Sequence, residues 1–236
     1  MLTKQAGYRE KLPPRGWLPP AEVCCDFDGT ITQVDITDAV LEAFALPAFR
    51  EWEQRWQRGE INSQECLARQ VELIRADQAT LVQFVADLPI DEGIFALDQR
   101  CAEYGTRLMI VSDGIDLFIK TVLSRHGLSH IPVFSSRLNW DLDGRPSLSF
   151  PYAVPGCQSG AATCKCALAM PSGLSSTRFV YIGDGQSDWC VSAKAHKVFA
   201  KRNLRGWCKL QGIACEPFET LTQVTEHLFR GKDTVT

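Results

Sequence analysis

Short apolar runs bounded by polar, glycine-containing turns recur along the chain and predict buried strands. Four clear runs and a weaker fifth lie at residues 22–25, 107–111, 178–182, 197–200 and, weakest, near 212–215. Residues 115–126 instead carry apolar side chains at helical spacing and are followed by Gly127, and residues 187–196 predict a further helix. Strands that alternate with helices predict an α/β fold with a parallel sheet and right-handed crossovers.

Residues 34–100 differ from the rest of the chain, because they show helical periodicity and no convincing strand. Ala39, Val40, Ala43 and Phe44 share one helical face. We therefore expect a helical insertion between the first two strands. The predicted organisation is an N-terminal extension at 1–20, a core domain formed by 21–33 and 101–236, and an inserted domain at 34–100. Farther along, Asp143-Gly144 predicts the tip of a hairpin.

Composition and charge exclude several classes of protein. The chain has 236 residues, 45% of them hydrophobic and 22% charged, which predicts a packed core. A net charge of −3 gives no chain-wide basic surface for nucleic acid. No apolar run approaches the roughly 20 residues that a membrane span needs. Without an apolar signal stretch near the N-terminus we expect a cytoplasmic location and, despite ten cysteines, no disulfide framework. The sequence does not indicate an oligomeric state.

Polar residues at the strand ends suggest phosphoryl transfer. The carboxyl ends of parallel strands converge on one ligand site, here bringing together Asp26, Asp28, Ser112 and Asp184. Phosphoryl transfer needs a nucleophile, a proton donor and cations on the phosphate oxygens. Asp26 and Asp28 lie two residues apart and can supply the first two. Asp26, the carbonyl of Asp28 and Asp184 suit Mg²⁺.

The motifs DFDGT, VSDG, a lysine and GDGQSD resemble, in order and spacing, the four motifs of the haloacid dehalogenase (HAD) superfamily. The resemblance covers about residues 22–200 and implies a Rossmann-like core that hydrolyses small-molecule phosphate esters with Mg²⁺. It makes Asp26 the nucleophile, and Asp28 the acid that protonates the leaving oxygen and then the base that activates water. Haloacid dehalogenases proper lack the second aspartate of the first motif, so Asp28 favours phosphatase chemistry.

The same resemblance assigns the remaining positions. It implies that Thr30 supports the loop, that phosphate is held by Ser112, Asp113 and Gly114, that Lys165 pairs with phosphate and Asp26, and that Mg²⁺ is bound by Asp184 and, directly or through water, by Asp188. Two alternatives stay open at this point. Ser112 could serve only as a helix N-cap, and a nearby lysine such as Lys194 could replace Lys165.

The helical insertion resembles the cap of the branch that includes phosphoserine phosphatases. That branch implies that Asp35 reads a substrate ammonium group, although Asp35 could merely begin the first inserted helix. An arginine in the cap clamps the substrate carboxylate in this branch, and Gln70 occupies that position here. A neutral amide does not replace a bidentate guanidinium, which disfavours phosphoserine. A shift of the alignment by one residue would restore the clamp with Arg69.

A second resemblance is closer and points to a subfamily. DFDGTIT, VSDGIDLFI, FPY, the cysteine-flanked lysine and IGDG resemble the 2-hydroxy-3-keto-5-methylthiopentenyl-1-phosphate phosphatases of methionine salvage. The cysteines are Cys157, Cys164 and Cys166, and they could bind zinc, respond to oxidation or be structural. Three functions therefore remain: the methionine-salvage phosphatase, a phosphoserine phosphatase, or a binding protein that keeps the HAD scaffold without turnover.

Overall fold

A seven-stranded sheet lies at the centre of the computed structural model, which describes residues 19–157, 159–170 and 179–229. Along the chain the strands are β1 Glu22–Cys25, β2 Arg107–Ile115, β3 Val133–Trp140, β4 Pro146–Ser149, β5 Phe179–Gly183, β6 Lys197–Ala200 and β7 Glu216–Pro217. Their spatial order is β4-β3-β2-β1-β5-β6-β7. Every neighbouring pair is parallel except β3 and β4. The predicted α/β fold is thereby confirmed, whereas the extension at residues 1–18 lies outside the described residues.

The apolar run of β1 explains why this strand is central. All four residues are buried, with Val23 and Cys25 packing on one side of the sheet and Cys24 on the other. A strand covered on both faces needs apolar side chains at every position, not at alternate ones. Asp26 follows directly, so the first acidic side chain appears where the buried strand ends.

Two strands differ from their predicted limits. β2 continues through the polar turn to Ile115, although its pairing with β3 shifts register between Val111 and Ile115. The weak fifth strand predicted near residues 212–215 exists but lies slightly later, since the β7 ladder is at 216–217. Gly212 instead ends a helix with φ of 67°.

The described helices flank the sheet or fill the insertion. They are α1 Ile36–Phe44, α2 Phe49–Gln57, α3 Ser63–Val71, α4 Gln78–Ala86, α5 Gly93–Glu103, α6 Asp116–Arg125, α7 Lys165–Ala169, α8 Trp189–Ser192, α9 Arg202–Gln211 and α10 Leu221–Phe229. The helix predicted over 115–126 is confirmed by α6. The one predicted over 187–196 is shorter, a 3₁₀ turn at Gln186–Asp188 followed by α8.

Helices α1 to α5 separate β1 from β2, and side chains fix where several of them begin. Asp35, Asn62 and Asp77 each accept a backbone N–H from the first turn of the helix that follows. The limits of the inserted domain at 34–100 stay a prediction. Contacts of α5 with α10 and β2 favour a boundary before Gly93.

The insertion is connected to the sheet by two short segments that pair with each other. We call residues 31–33 and 89–91 the paired connections. Thr32 bridges to Ile90, the Gln33 N–H donates to the Pro89 carbonyl at 3.1 Å, and the Asp91 N–H donates to the Ile31 carbonyl at 2.7 Å. Any movement of α1–α4 relative to the sheet must pass through these two segments.

The edge of the sheet is a hairpin. β3 and β4 pair antiparallel from Arg137↔Ser149 to Trp140↔Pro146, and Gly144 has φ of 72° in the turn. The predicted hairpin tip at Asp143-Gly144 is confirmed. Across the described ranges, no helix combines the length and apolar character that crossing a membrane requires.

Candidate active site

The carboxyl ends of β1, β2 and β5 bring the predicted acidic and hydroxyl residues together. β1 lies between β2 and β5, with Cys25 opposite Ile110 on one side and Ile182 on the other. Asp26 follows Cys25, and its N–H donates to the Ile182 carbonyl at 2.9 Å. The nucleophile candidate is thus fixed by the sheet itself.

The loop after β1 is tight and depends on glycine. Gly29 has φ of 70°, and a Cβ there would lie 2.4 Å from Asp184 Oδ2. The Gly29 N–H donates to Thr32 Oγ1 at 3.2 Å, so Thr32 braces this loop. The hydroxyl of Thr30 is buried and has no hydrogen-bond partner in the described part of the chain. The sequence predicts that Thr30 supports this loop, but the contact comes from Thr32. Nothing in the sequence apart from its hydroxyl group indicates this role for Thr32.

Lys165 lies at the centre of the site. Its Nζ donates to Asp26 Oδ1 at 2.7 Å, to Asp188 Oδ1 at 2.6 Å and to Ser187 Oγ at 3.0 Å. The side chain is buried at the start of α7. The alternative, Lys194, is exposed. The structure therefore brings Lys165 to Asp26, as the motif resemblance implied.

Asp188 is buried and fully engaged by protein donors. One oxygen accepts from Lys165 and from the Tyr181 hydroxyl at 2.5 Å, and the other accepts the N–H groups of Asp184 at 2.9 Å and Gly185 at 3.0 Å. Ser187 Oγ makes a longer contact with the first oxygen, at 3.5 Å, and these five donors leave little room for direct contact with a cation. Of the two modes that the sequence left open for Asp188, the contacts favour the one through water. Tyr181 was not foreseen, because its strand position suggested only core packing.

The remaining carboxylate oxygens suit a divalent cation. Oxygens of Asp26, Asp184 and Asp188 lie within 4.8 Å of one another. Among the described residues, the hydrogen bonds to Asp26 and Asp184 go to Asp26 Oδ1 and Asp184 Oδ2, which leaves Asp26 Oδ2 and Asp184 Oδ1 for a cation. Burial raises the pKa of Asp26. The nearby carboxylates of Asp188 and Asp184 raise this pKa further, whereas the ammonium of Lys165 lowers it. One ammonium does not balance these carboxylates, and carboxylate oxygens with unused lone pairs are the ligands that Mg²⁺ prefers.

Asp28 lies between the start of the insertion and the second motif. Its Oδ1 accepts the Ile36 N–H at 3.0 Å, and a Cβ on Gly114 would lie 2.4 Å from Oδ2. Desolvation and the carboxylate of Asp35 raise the pKa of Asp28 well above its usual value. A carboxyl group that keeps its proton near neutral pH can protonate a leaving oxygen.

The second motif lies in the extended end of β2. Ser112 Oγ is buried and accepts the Gly114 N–H at 3.0 Å. The N-cap alternative for Ser112 does not hold, since α6 begins at Asp116. Gly114 has no Cβ and so leaves the room that Asp28 Oδ2 occupies.

The side chain of Asp113 contacts backbone N–H groups of the protein and is not free to bind phosphate. Its carboxylate accepts the backbone N–H groups of Ala162 at 3.2 Å and Thr163 at 2.9 Å. These residues lie two and three positions before Lys165, so Asp113 positions the segment that leads into the lysine. The predicted contact of Asp113 with phosphate then rests on its backbone N–H alone.

The inserted helices contact the core beside Lys165. Gln64, in the first turn of α3, donates to the Ala161 carbonyl at 3.1 Å. Asp35 is the N-cap of α1 and accepts the Asp38 N–H at 2.9 Å. The alternative in which Asp35 begins a helix is confirmed, and this capping bond leaves one of its carboxylate oxygens for other contacts.

Gln70 and Arg69 have opposite environments. Gln70 is buried, and its Nε2 donates to Glu53 Oε2 at 3.1 Å. Arg69 is half-exposed, pairs with Glu72 and lies over the Trp52 ring. A one-residue shift of the alignment therefore does not bring Arg69 into the interior.

The cysteines near Lys165 do not form a three-ligand site in the described residues. Cys166 Sγ and Cys190 Sγ are 3.2 Å apart, and Cys157 is close to Cys164 and Ser159. The described carboxylates Asp26, Asp184 and Asp188 form the cluster with metal-binding spacing, whereas these thiols do not join one. The zinc alternative gains no support, and the structural and redox alternatives stay open.

Comparisons with known proteins find phosphatases. Residues 22–226 match the sequence model of a family described as Putative Phosphatase. A 2-hydroxy-3-keto-5-methylthiopentenyl-1-phosphate phosphatase of Geobacillus thermodenitrificans is 30% identical over 210 residues, covering 87% of this chain and 94% of the relative. The enzyme of the same name from Exiguobacterium is 25% identical, with coverage of 87% and 96%.

Solved structures share the fold at lower identity. A HAD family hydrolase from Salmonella enterica serovar Typhi superposes with a TM-score of 0.69 and 17% identity, covering 94% of this chain and 75% of the other. A phosphoserine phosphatase solved as a phospho-aspartyl intermediate analogue gives 0.61 and 17%, with coverage of 89% and 99%. At these identities the likeness concerns the fold.

Proposed function

The chain belongs to the Putative Phosphatase family, and from that premise we propose that it hydrolyses a small phosphomonoester through a phospho-aspartate on Asp26, with Mg²⁺ as cofactor. The observation that carries the proposal is the buried contact between Lys165 Nζ and Asp26 Oδ1 at 2.7 Å. The first candidate substrate is 2-hydroxy-3-keto-5-methylthiopentenyl-1-phosphate, because relatives that match this chain over most of their length are named as phosphatases of that compound.

The chain's own residues divide the reaction into two steps. Asp26 would attack phosphorus while Asp28 gives its proton to the leaving oxygen, which yields an acyl phosphate and an alcohol or enol. Asp28, now ionised, would take a proton from the water that cleaves the acyl phosphate. Lys165 would hold Asp26 in line and neutralise phosphate oxygens, with Ser112 and the N–H of Asp113 binding the others.

Asp26, the Asp28 carbonyl and Asp184 would hold the cation, with Asp188 acting through water. When bound, Mg²⁺ supplies positive charge that stabilises the phosphoryl oxygens and favours the ionised form of Asp26. Arg202 donates to Asp184 Oδ2 at 3.1 Å and so leaves Oδ1 of this carboxylate for the cation.

Removal of divalent cations is expected to abolish hydrolysis, and added Mg²⁺ to restore it. Ca²⁺ should bind and inhibit, because its larger and looser coordination shell misplaces the nucleophile. The measurement is the rate of para-nitrophenyl phosphate hydrolysis after EDTA treatment and after titration with each ion. Full activity in metal-free buffer would contradict the proposed cofactor. No hydrolysis with Mg²⁺ on any ester would instead favour a binding protein on this scaffold.

The insertion places carboxylates close enough to Asp28 to raise its pKa, those of Asp35 and Asp38. Desolvation and the carboxylates of Asp35 and Glu53 raise the pKa of Asp38 to about 7. Gln70, at the position of the phosphoserine clamp, is bonded to Glu53. A substrate carboxylate beside Gln70 would meet the Glu53 carboxylate and would lack the arginine partner of the phosphoserine clamp, at a cost of roughly 2–5 kcal/mol. This favours neutral leaving groups and, as a second candidate, the phosphate esters of amino alcohols.

We expect kcat/KM to be at least about tenfold lower for phosphoserine than for phosphoethanolamine, which differs only in lacking the carboxylate. A loss of 1.4 kcal/mol already corresponds to a tenfold change. The enol phosphate should give the highest value in a panel that includes both and a neutral alkyl phosphate. A preference for phosphoserine would overturn the specificity argument. A Gln70→Arg variant should improve phosphoserine only when Glu53→Gln frees the new guanidinium.

A further inference from the structure

Arg202 makes contacts that no motif predicted. Its Nη1 donates to Asp184 Oδ2 at 3.1 Å, and its Nη2 donates to the Gln33 carbonyl at 3.0 Å. A Cβ on Gly29 would lie 2.5 Å from Nη1, so the guanidinium lies against the loop after β1. One side chain therefore touches the loop of the nucleophile, the fourth motif and the first of the paired connections.

The backbone at Arg202 is strained in support of these contacts. Its φ of 46° is the one positive value at a non-glycine residue among the described positions. Such a conformation costs about 1–3 kcal/mol and persists only where the surroundings enforce it. The neighbouring backbone supplies that constraint, since the Lys201 N–H donates to the Gly183 carbonyl and the Leu204 N–H to the Asp184 carbonyl.

The two acceptors of Arg202 belong to different parts of the machinery. Asp184 is a proposed cation ligand, whereas Gln33 lies in the segment that connects the sheet to the inserted helices. The fork geometry of guanidinium allows both bonds at once, which a lysine ammonium does not reproduce. A cation that fixes the Asp184 carboxylate also fixes the partner of Nη1, and through Nη2 the Gln33 carbonyl.

We propose that Arg202 is a positioning residue that couples cation binding at Asp184 to the order of the paired connections that carry the inserted helices. The inference rests on the proposed function for the cation at Asp184. Two amides report on the connections, the Gln33 N–H bonded to Pro89 and the Asp91 N–H bonded to Ile31. Coupling between distinct sites typically changes an equilibrium by 5-fold or more.

The test is NMR-detected amide hydrogen exchange of the full chain with and without saturating Mg²⁺, in the absence of substrate. In the wild-type protein, Mg²⁺ should slow exchange of the Gln33 and Asp91 amides by about 5-fold or more. The Leu46 amide, bonded to Leu73 within the insertion, is the reference. Arg202→Gln and Arg202→Lys should lose this Mg²⁺ effect. Arg205→Gln, the same change at an exposed residue of α9, should retain it.

Calorimetric titration with Mg²⁺ separates the possible failures. If the wild-type protein binds no Mg²⁺, the proposed cation site fails and the coupling with it. If it binds Mg²⁺ but its reporter amides do not respond, or if Arg202→Gln keeps the full response, the coupling alone is overturned. Loss of all Mg²⁺ binding in Arg202→Gln would also overturn it, because Arg202 would then be required for the site itself.

Discussion

Asp26→Asn is expected to abolish turnover while leaving the fold intact. An amide cannot attack phosphorus, so no phospho-enzyme forms, and the loss of a nucleophile should reduce kcat by about 10⁴-fold or more. The measurement is steady-state hydrolysis together with acid-quench detection of the phosphorylated protein. Wild-type kcat in this variant would contradict the proposed mechanism.

The same substitution should not destabilise the protein. The Asn oxygen can still accept from Lys165, and Lys165 keeps its bond to Asp188. Removing one of several buried carboxylates relieves the repulsion that raises the pKa of Asp26. We expect a Tm equal to or above that of the wild-type protein, which separates loss of function from loss of fold.

Asp28→Asn is the matched comparison, because it removes a carboxylate two residues away without removing the nucleophile. It should slow both half-reactions by about 10²–10⁴-fold, since one carboxyl group protonates the leaving oxygen and activates water. Phospho-enzyme should still form slowly in Asp28→Asn and not at all in Asp26→Asn. The pair of variants therefore tests the two roles independently.

The sequence predicts the centre of the fold well because its strands are buried on both faces. In β1 and β5 every residue is buried, and such continuous apolar runs stand out from the surrounding turns. β7 shows the limit of this signal. It contains two residues at the sheet edge, where a strand does not need a continuous apolar run, and the apolar residues just before it lie between the end of α9 and the strand.

The sequence predicts those site residues whose location follows from their position at the end of a strand. Asp26 and Asp184 follow strand ends directly and Asp28 lies two residues after Asp26, so the topology brings all three to one edge of the sheet. Asp113 was placed correctly in the chain, but its side chain turns toward Ala162 and Thr163 to hold the segment before Lys165. Side-chain direction within an irregular strand end does not follow from spacing.

Residues that act through long-range contacts gave no local signal. Tyr181 has the sequence pattern of a core residue of β5. Its hydroxyl has a role in the site because it donates a hydrogen bond to Asp188, which only the fold brings close. Arg202 follows a strand in a basic stretch typical of a solvated helix start. Its contact with Gln33 spans 169 positions of sequence and could not be anticipated without the fold.

Lys165→Met should cause the largest loss of stability of any single change in the site. Lys165 is 3% exposed and has two carboxylate partners, at 2.6 and 2.7 Å. Removing one member of a buried ion pair leaves an uncompensated charge and costs roughly 3–5 kcal/mol of folding stability. The measurement is the free energy of unfolding in denaturant, with Lys194→Met, an exposed lysine, as the control expected to change little.

The double variant Lys165→Met/Asp26→Asn tests the cause of that loss. If uncompensated charge is responsible, neutralising Asp26 should recover part of the stability, because Asp188 still accepts from Tyr181 and two backbone N–H groups. Simple loss of packing by the lysine stem would instead persist in the double variant. A cost for Lys165→Met of only about 0–1 kcal/mol, as for exposed ion pairs, would mean that water reaches the pair. Activity should stay absent in the double variant, since it lacks both the nucleophile Asp26 and the Lys165 ammonium that orients it.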